Sequence, residues 1–136
     1  MAHDRCHDQI VNALKKAGWE TDAHSPYFRL PNMFVNPDIR AVQRNGSIEQ
    51  IIIVEIKCFA DTNNDLDELY RAIGQYLIYR NVLKIKKLGY KLYLAVPTEV
   101  YERFFHQDVV RQTTREAQIK MLVVDIVREE VMQWLD

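Results

Sequence analysis

The chain has 136 residues, 48% of them hydrophobic and 27% charged, with a net charge of −1. That is the make-up of one globular domain with one core. It offers no apolar run of about 20 residues for a membrane span, and its near-neutral charge excludes a generic DNA-coating protein, which would be strongly basic. The start, M-A-H-D-R-C-H-D, is polar and acidic and lacks a signal-peptide core, so a cytoplasmic location is expected. With it go reduced thiols at Cys6 and Cys58, which show no metal-ligand spacing.

Asp4 to Ala17 is expected to form the first helix. Ile10, Val11, Leu14 and Ala17 recur at helical spacing, with His7 one turn earlier. Asp4 is the candidate N-cap. Lys15 and Lys16 suit the negative end of the dipole, and Gly18 stops the helix. Trp19 should pack the exit against the core. Ser25-Pro26 marks a turn, Tyr27 to Leu30 a short strand, and Pro31-Asn32 a second turn. Phe34 to Gln43 is expected as the second strand. Pro37 removes a ladder donor, which places it at an edge or beside a bulge. Alternation sets Asn36, Asp38, Arg40 and Val42 on one face and Val35, Ile39 and Ala41 on the other. Asn45-Gly46 is a two-residue hairpin signal, so the next strand returns antiparallel.

That third strand, Gln50 to Phe59, is the centre of the chain. Its sequence, Q-I-I-I-V-E-I-K-C-F, is a near-continuous β-branched run that suits a strand covered on both faces. Ile53, Glu55, Lys57 and Phe59 share one face; Ile52, Val54, Ile56 and Cys58 share the other. Two charges on such a strand cost several kcal/mol unless they are paired or hold a metal. An internal Glu55–Lys57 ion pair is the plain explanation, and a metal site is the chemical one.

Asp61 to Asp65 is a polar loop. Leu66 to Lys87 is the longest helical pattern, with Gly74 in its interior at a cost of about 1 kcal/mol relative to Ala. A small residue there suggests close packing against the sheet. Lys84, Lys86, Lys87 and Lys91 form the densest basic cluster, read as a solvated helix end, and Gly89 closes the helix. Tyr90 to Val96 is a strand ended by Pro97. Thr98 is expected to cap a short helix carrying Tyr101, Phe104 and Phe105. Val109 to Ala117 is a further helix, Lys120 to Val127 a strand, and Glu129 to Leu135 a short closing helix. The long helix is then the right-handed crossover between parallel strands. The fold class is a single α/β domain over residues 1–136, a mixed sheet flanked by helices.

Chemistry converges on Asp38, Glu55 and Lys57. Asp38 stands seventeen positions before Glu55, across the hairpin from it. Two carboxylates with a backbone carbonyl, that of Ile56, can hold one Mg²⁺ or Mn²⁺. Lys57 would assist the attacking water and stabilise charge on a phosphate. Gln75 and Tyr79, four apart on the long helix, share a face and would position that phosphate. Each of the two is otherwise an ordinary buried polar group. His7 is a candidate close to the site. The helix-borne carboxylate common in metal nucleases is missing, the inward candidates on the first helix being His7 and Asn12. His3, His24 and His106 show no partner spacing and are expected in solvent.

P-D followed by E-I-K on a hairpin, with Q-x-x-x-Y on the next helix, resembles the PD-(D/E)xK restriction-endonuclease-like superfamily. Further stretches are similar to the XisH family of fdxN element excision controlling factors. They are D-x-x-H-x-x-I (Asp4, His7, Ile10), A-L-K-K-A-G-W (Ala13 to Trp19), V-E-I-K-C-F (Val54 to Phe59), A-I-G-Q-Y-L-I-Y-R (Ala72 to Arg80), L-Y-L-A-V-P (Leu92 to Pro97), F-F at Phe104 and Phe105, and W-L at Trp134 and Leu135. The resemblance implies a restriction-endonuclease-like αβββαβ core. It also implies a role in site-specific DNA excision in cyanobacteria, beside a recombinase and a XisI-type protein. Two readings stay open: a Mg²⁺-dependent endonuclease or nickase, and a catalytically silent binding module that acts through XisI. Association between like chains is open as well.

Overall fold

Alternation along the central strand sets the layers of the fold. The structure, a computed structural model, describes residues 6–136. The fifth strand, β5 (Ile48–Ile56), follows β4 (Ile39–Asn45) through a two-residue turn at Gly46-Ser47, one position later than the expected Asn45-Gly46, with Gly46 at φ 64°. The two pair antiparallel, Ile39 opposite Val54 and Asn45 opposite Ile48. Ile52, Val54, Ile56 and Cys58 point to one core; Ile53 and Phe59 point to the other.

The first helix, α1 (His7–Lys16), covers the first core with Ile10, Ala13 and Leu14. Gly18, at φ 92°, turns the chain out of it, and Trp19 is buried as expected. The candidate N-cap Asp4 lies outside the described residues. A two-residue strand not foreseen in the sequence, β1 (Glu20–Thr21), then pairs with β4. The second core is covered by α2 (Asp65–Ile85), whose Leu69, Ala72, Tyr76, Tyr79, Val82 and Leu83 are buried. It is the crossover from β5 to β6 (Lys91–Pro97), and these strands are parallel. After α3 (Thr98–Arg103) and α4 (Asp108–Glu116), β7 (Met121–Asp125) pairs parallel with β6, and β8 (Glu130–Leu135) returns antiparallel to β7. The six-stranded mixed sheet runs β1-β4-β5-β6-β7-β8. No helix among the described residues is long and apolar enough to cross a membrane.

Several expectations are corrected. The closing segment is a strand, not a helix. Asp125 Oδ1 accepts from the backbone N–H groups of Val127 and Arg128, both at 3.0 Å, and folds the chain back on β7. Trp134 then rests on Tyr93 and Trp19, at 5.0 and 5.7 Å between ring centroids. The segment Phe34 to Gln43 is two strands. β3 (Met33–Val35) leaves to pair with β2 (Phe28–Leu30), because Pro37 and the bend at Asp38 break the ladder before β4. Thr98 is the first residue of α3 and not its cap, which is Pro97. Gly74 does not pack on the sheet: it is exposed, and a Cβ there would meet nothing within 4 Å. Asn12 faces outward and donates to Glu129. Cys6 and Cys58 are not separate thiols but a disulfide, with Cα atoms 5.8 Å apart across 52 positions. Helix α1 brings the first of them against the end of the central strand, a proximity that spacing in the chain does not encode.

Tyr76 ties together the starts of the neighbouring parallel strands β6 and β7. Its side chain is 1% exposed; its hydroxyl donates to the Leu92 carbonyl at 2.8 Å and accepts from the Lys120 N–H at 2.9 Å. Tyr76→Phe leaves both backbone groups short of a partner. It should cost about 1–3 kcal/mol in urea denaturation, with no change in the slope.

Candidate functional site

The hairpin register decides the site. Because Ile39 lies opposite Val54, Asp38 comes beside Glu55 at the end of the β4–β5 ladder. Asp38 is held there by its own side chain: Oδ2 accepts from the Ile56 backbone N–H at 2.7 Å. Pro37, buried, fixes the approach. Glu55 is the one charged-type residue buried among the described residues, 5% exposed. Lys57 follows on the same side, with Nζ 3.9 Å from Glu55 Oε2.

This environment sets the protonation of Glu55. Burial first, and the Asp38 carboxylate second, push its carboxyl from an ordinary 4.5 up to about 8, against the opposing pull of Lys57. Lys57 at 3.9 Å offsets only part of the upward push from burial and Asp38.

Helix α2 supplies the lid. Burial raises the Tyr79 hydroxyl well above the usual tyrosine range, and the charges of Glu55 and then Asp38 raise it further. Tyr79 thus faces the two carboxylates and stays protonated, a donor. Gln75 lies one turn earlier, half-buried. Its Oε1 and the Oε1 of Glu55 are both buried oxygens with no hydrogen-bond partner. Buried acceptors without donors are costly in a protein alone. They are well suited to a hard cation, which takes oxygen ligands, or to the donors of a bound phosphodiester's water shell. The Asp38, Glu55 and Ile56 carbonyl set fits Mg²⁺ or Mn²⁺ by donor chemistry. Among the described residues no three His, Cys, Asp or Glu side chains group closely enough to hold an ion by themselves.

His7 lines a cleft of about 650 Å³ together with Asp38, Asp22 and His24. It lies on α1, and the cleft it shares with Asp38 is bounded by that helix. His24, expected in solvent alone, joins the same cleft.

Two supports were missed in the sequence. Phe59 sits at φ 50°, a left-handed conformation rare for a bulky residue, two positions after Lys57. Its ring is clamped by Phe104 and Phe105 at 5.6 and 5.5 Å. Arg103 bonds Asp65, Glu99 at 2.7 Å and the Phe59 carbonyl at 3.4 Å, which fastens the loop between β5 and α2. Glu99 and Arg103 stand at i, i+4 spacing; Asp65 and Phe59, 38 and 44 positions from Arg103, carry no such signal in the chain.

Comparison with known proteins is consistent over the whole chain. The family model described as XisH protein matches residues 1–132. A crystal structure of an XisH family protein from Nostoc punctiforme is 33% identical, with TM-score 0.86, covering 98% of this chain and 100% of that one. A crystal structure of a fdxN element excision controlling factor protein from Anabaena variabilis is 35% identical, with TM-score 0.87 and the same coverage. No curated protein matches the chain.

The raised Glu55 carboxyl has a measurable sign. Between 4.5 and about 8 the folded chain holds a proton that the unfolded chain releases. Its contribution is complete below the lower value and is lost as pH rises through the upper one. In chelator-containing buffer the melting temperature should fall from about pH 5 to about pH 8, and Glu55→Gln should flatten that fall. Equal slopes in the two proteins would show that Glu55 does not titrate this way.

Proposed function

The chain belongs to the XisH family, and from that premise we propose that it is an excision controlling factor whose restriction-endonuclease-like core is a divalent-metal-dependent phosphodiester-cleaving site. The observation that supports this reading is the buried Glu55 carboxyl beside Asp38, whose Oε1 has no hydrogen-bond partner, as has Gln75 Oε1 on α2. Asp38, Glu55 and the Ile56 carbonyl would hold Mg²⁺ or Mn²⁺, which when bound supplies Lewis-acid stabilisation of charge on the phosphate. The protein's own groups do the rest. Asp38 is pre-set by the Ile56 N–H, so no reorganisation is needed on binding. Lys57 places a positive charge where the phosphate oxygens and attacking water gather. Tyr79, kept protonated, donates to a phosphate oxygen, and Gln75 offers an amide alongside. DNA is the substrate of this reading. A XisI-type protein and a site-specific recombinase are the partners that family resemblance adds.

A second reading has its own observation. With the Glu55 carboxyl raised by burial and by Asp38, and no group of three metal-ligating side chains among the described residues, the fold would serve as a silent module acting through XisI. Fold alone does not choose between them.

Calorimetric titration separates the two. Wild type should bind one Mn²⁺ or Mg²⁺ at micromolar to millimolar affinity, and Asp38→Ala should weaken it by at least about tenfold. Lys57→Ala should keep the metal and lose Mn²⁺-dependent nicking of supercoiled plasmid. Absence of binding at millimolar metal retires the nuclease reading and leaves the module, for which stable co-elution with a XisI-type protein is the expected result.

A further inference from the structure

The outer face of α2 is chemically at odds with its position. The inner face is already filled by the buried residues against the sheet. Yet Tyr70, Ile78 and Ile85 stand exposed on the other side, at 61%, 48% and 69%. At 3.6 residues per turn, Tyr70, Gly74, Ile78, Asn81 and Ile85 form one stripe pointing away from the sheet. A surface helix normally places polar residues there; a helix apolar around most of its circumference is one covered on both sides. Gly74, in the middle of the stripe, is exposed, adopts no left-handed backbone and abuts nothing. Nothing within the chain requires a glycine at a site where it weakens the helix.

We propose that this stripe is the contact with a second copy of the chain, the two α2 helices lying antiparallel across a two-fold axis near Gly74. Charge selects that occupant and that direction. The first turn carries Asp65, Asp67 and Glu68; the other end carries Lys84, followed by Lys86 and Lys87. Antiparallel copies set the acidic end of each beside the basic end of the other, and their helix dipoles oppose favourably. A parallel pair would stack like charges. One surface that complements itself is what a two-fold interface requires. The missing side chain at Gly74 lets the axes approach, with Tyr70 of each copy over Ile78 of the other. Asp65 is already bound to Arg103, so Asp67 and Glu68 carry the cross-pairing.

Sedimentation velocity on the full chain tests this. Wild type should sediment at twice 16.1 kDa at micromolar concentration. Ile78→Glu, an exposed substitution, should give a monomer with an unchanged circular dichroism spectrum. Asp67→Lys should weaken dimerisation by about tenfold, and Asp67→Lys with Lys84→Glu should restore it. A wild-type monomer, which would leave the stripe to a different protein, overturns the proposal. So does a dimer indifferent to Ile78→Glu, or a charge swap that fails to rescue.

Discussion

A carboxyl group denied water governs this molecule. Glu55 sits on the strand that both cores share, and it is the residue the fold can least easily accommodate. An ionised carboxylate there would cost several kcal/mol. The protein offsets part of that cost with Lys57 at 3.9 Å but then adds Asp38, which works the other way. The result is a neutral acid beside an anchored carboxylate. An ion pair built for stability would be shorter and would leave no buried oxygen without a donor. The geometry instead leaves Oε1 of Glu55 without a partner.

The surroundings hold that arrangement in place. Strand pairing sets Asp38 and Glu55 side by side, and a helix crossover brings Tyr79 within reach of their charges. The chain leaves Lys57 through a left-handed Phe59, a conformation that persists only because aromatic packing and Arg103 hold it on two sides. On the opposite face the Cys6–Cys58 bridge joins α1 to the same turn. The end of the central strand is thereby tethered to both layers, and the lysine cannot drift without disturbing either core.

Much of this was legible in the residues. The β-branched run interrupted by E-I-K announced a covered strand, and the Asn45-Gly46 turn announced its partner. Their combination brought Asp38 and Glu55 onto neighbouring strands, but the two-residue loop is Gly46-Ser47 and not Asn45-Gly46, and that shift of one residue sets Asp38 level with Glu55 instead of Ile53. Trp19 and Gly18 behaved as local rules require. The failures share a cause. The last strand was mistaken for a helix because a short apolar run fits either period, and the turn at Asp125 that settles the matter is made by side-chain bonds to backbone. Gly74 was assigned to the sheet side because a pattern of apolar residues does not say which side of a nearly uniform helix faces inward.

The sequence by itself determined what is local: the central strand, its antiparallel return from β4 and the crossover helix. Only the tertiary structure decided the rest. The disulfide, the Arg103 clamp and the unmet oxygens of Glu55 and Gln75 depend on distances between segments far apart in the chain. Alternation and spacing carry direction along one element; they carry no information on how close another element comes, and desolvation depends on that closeness.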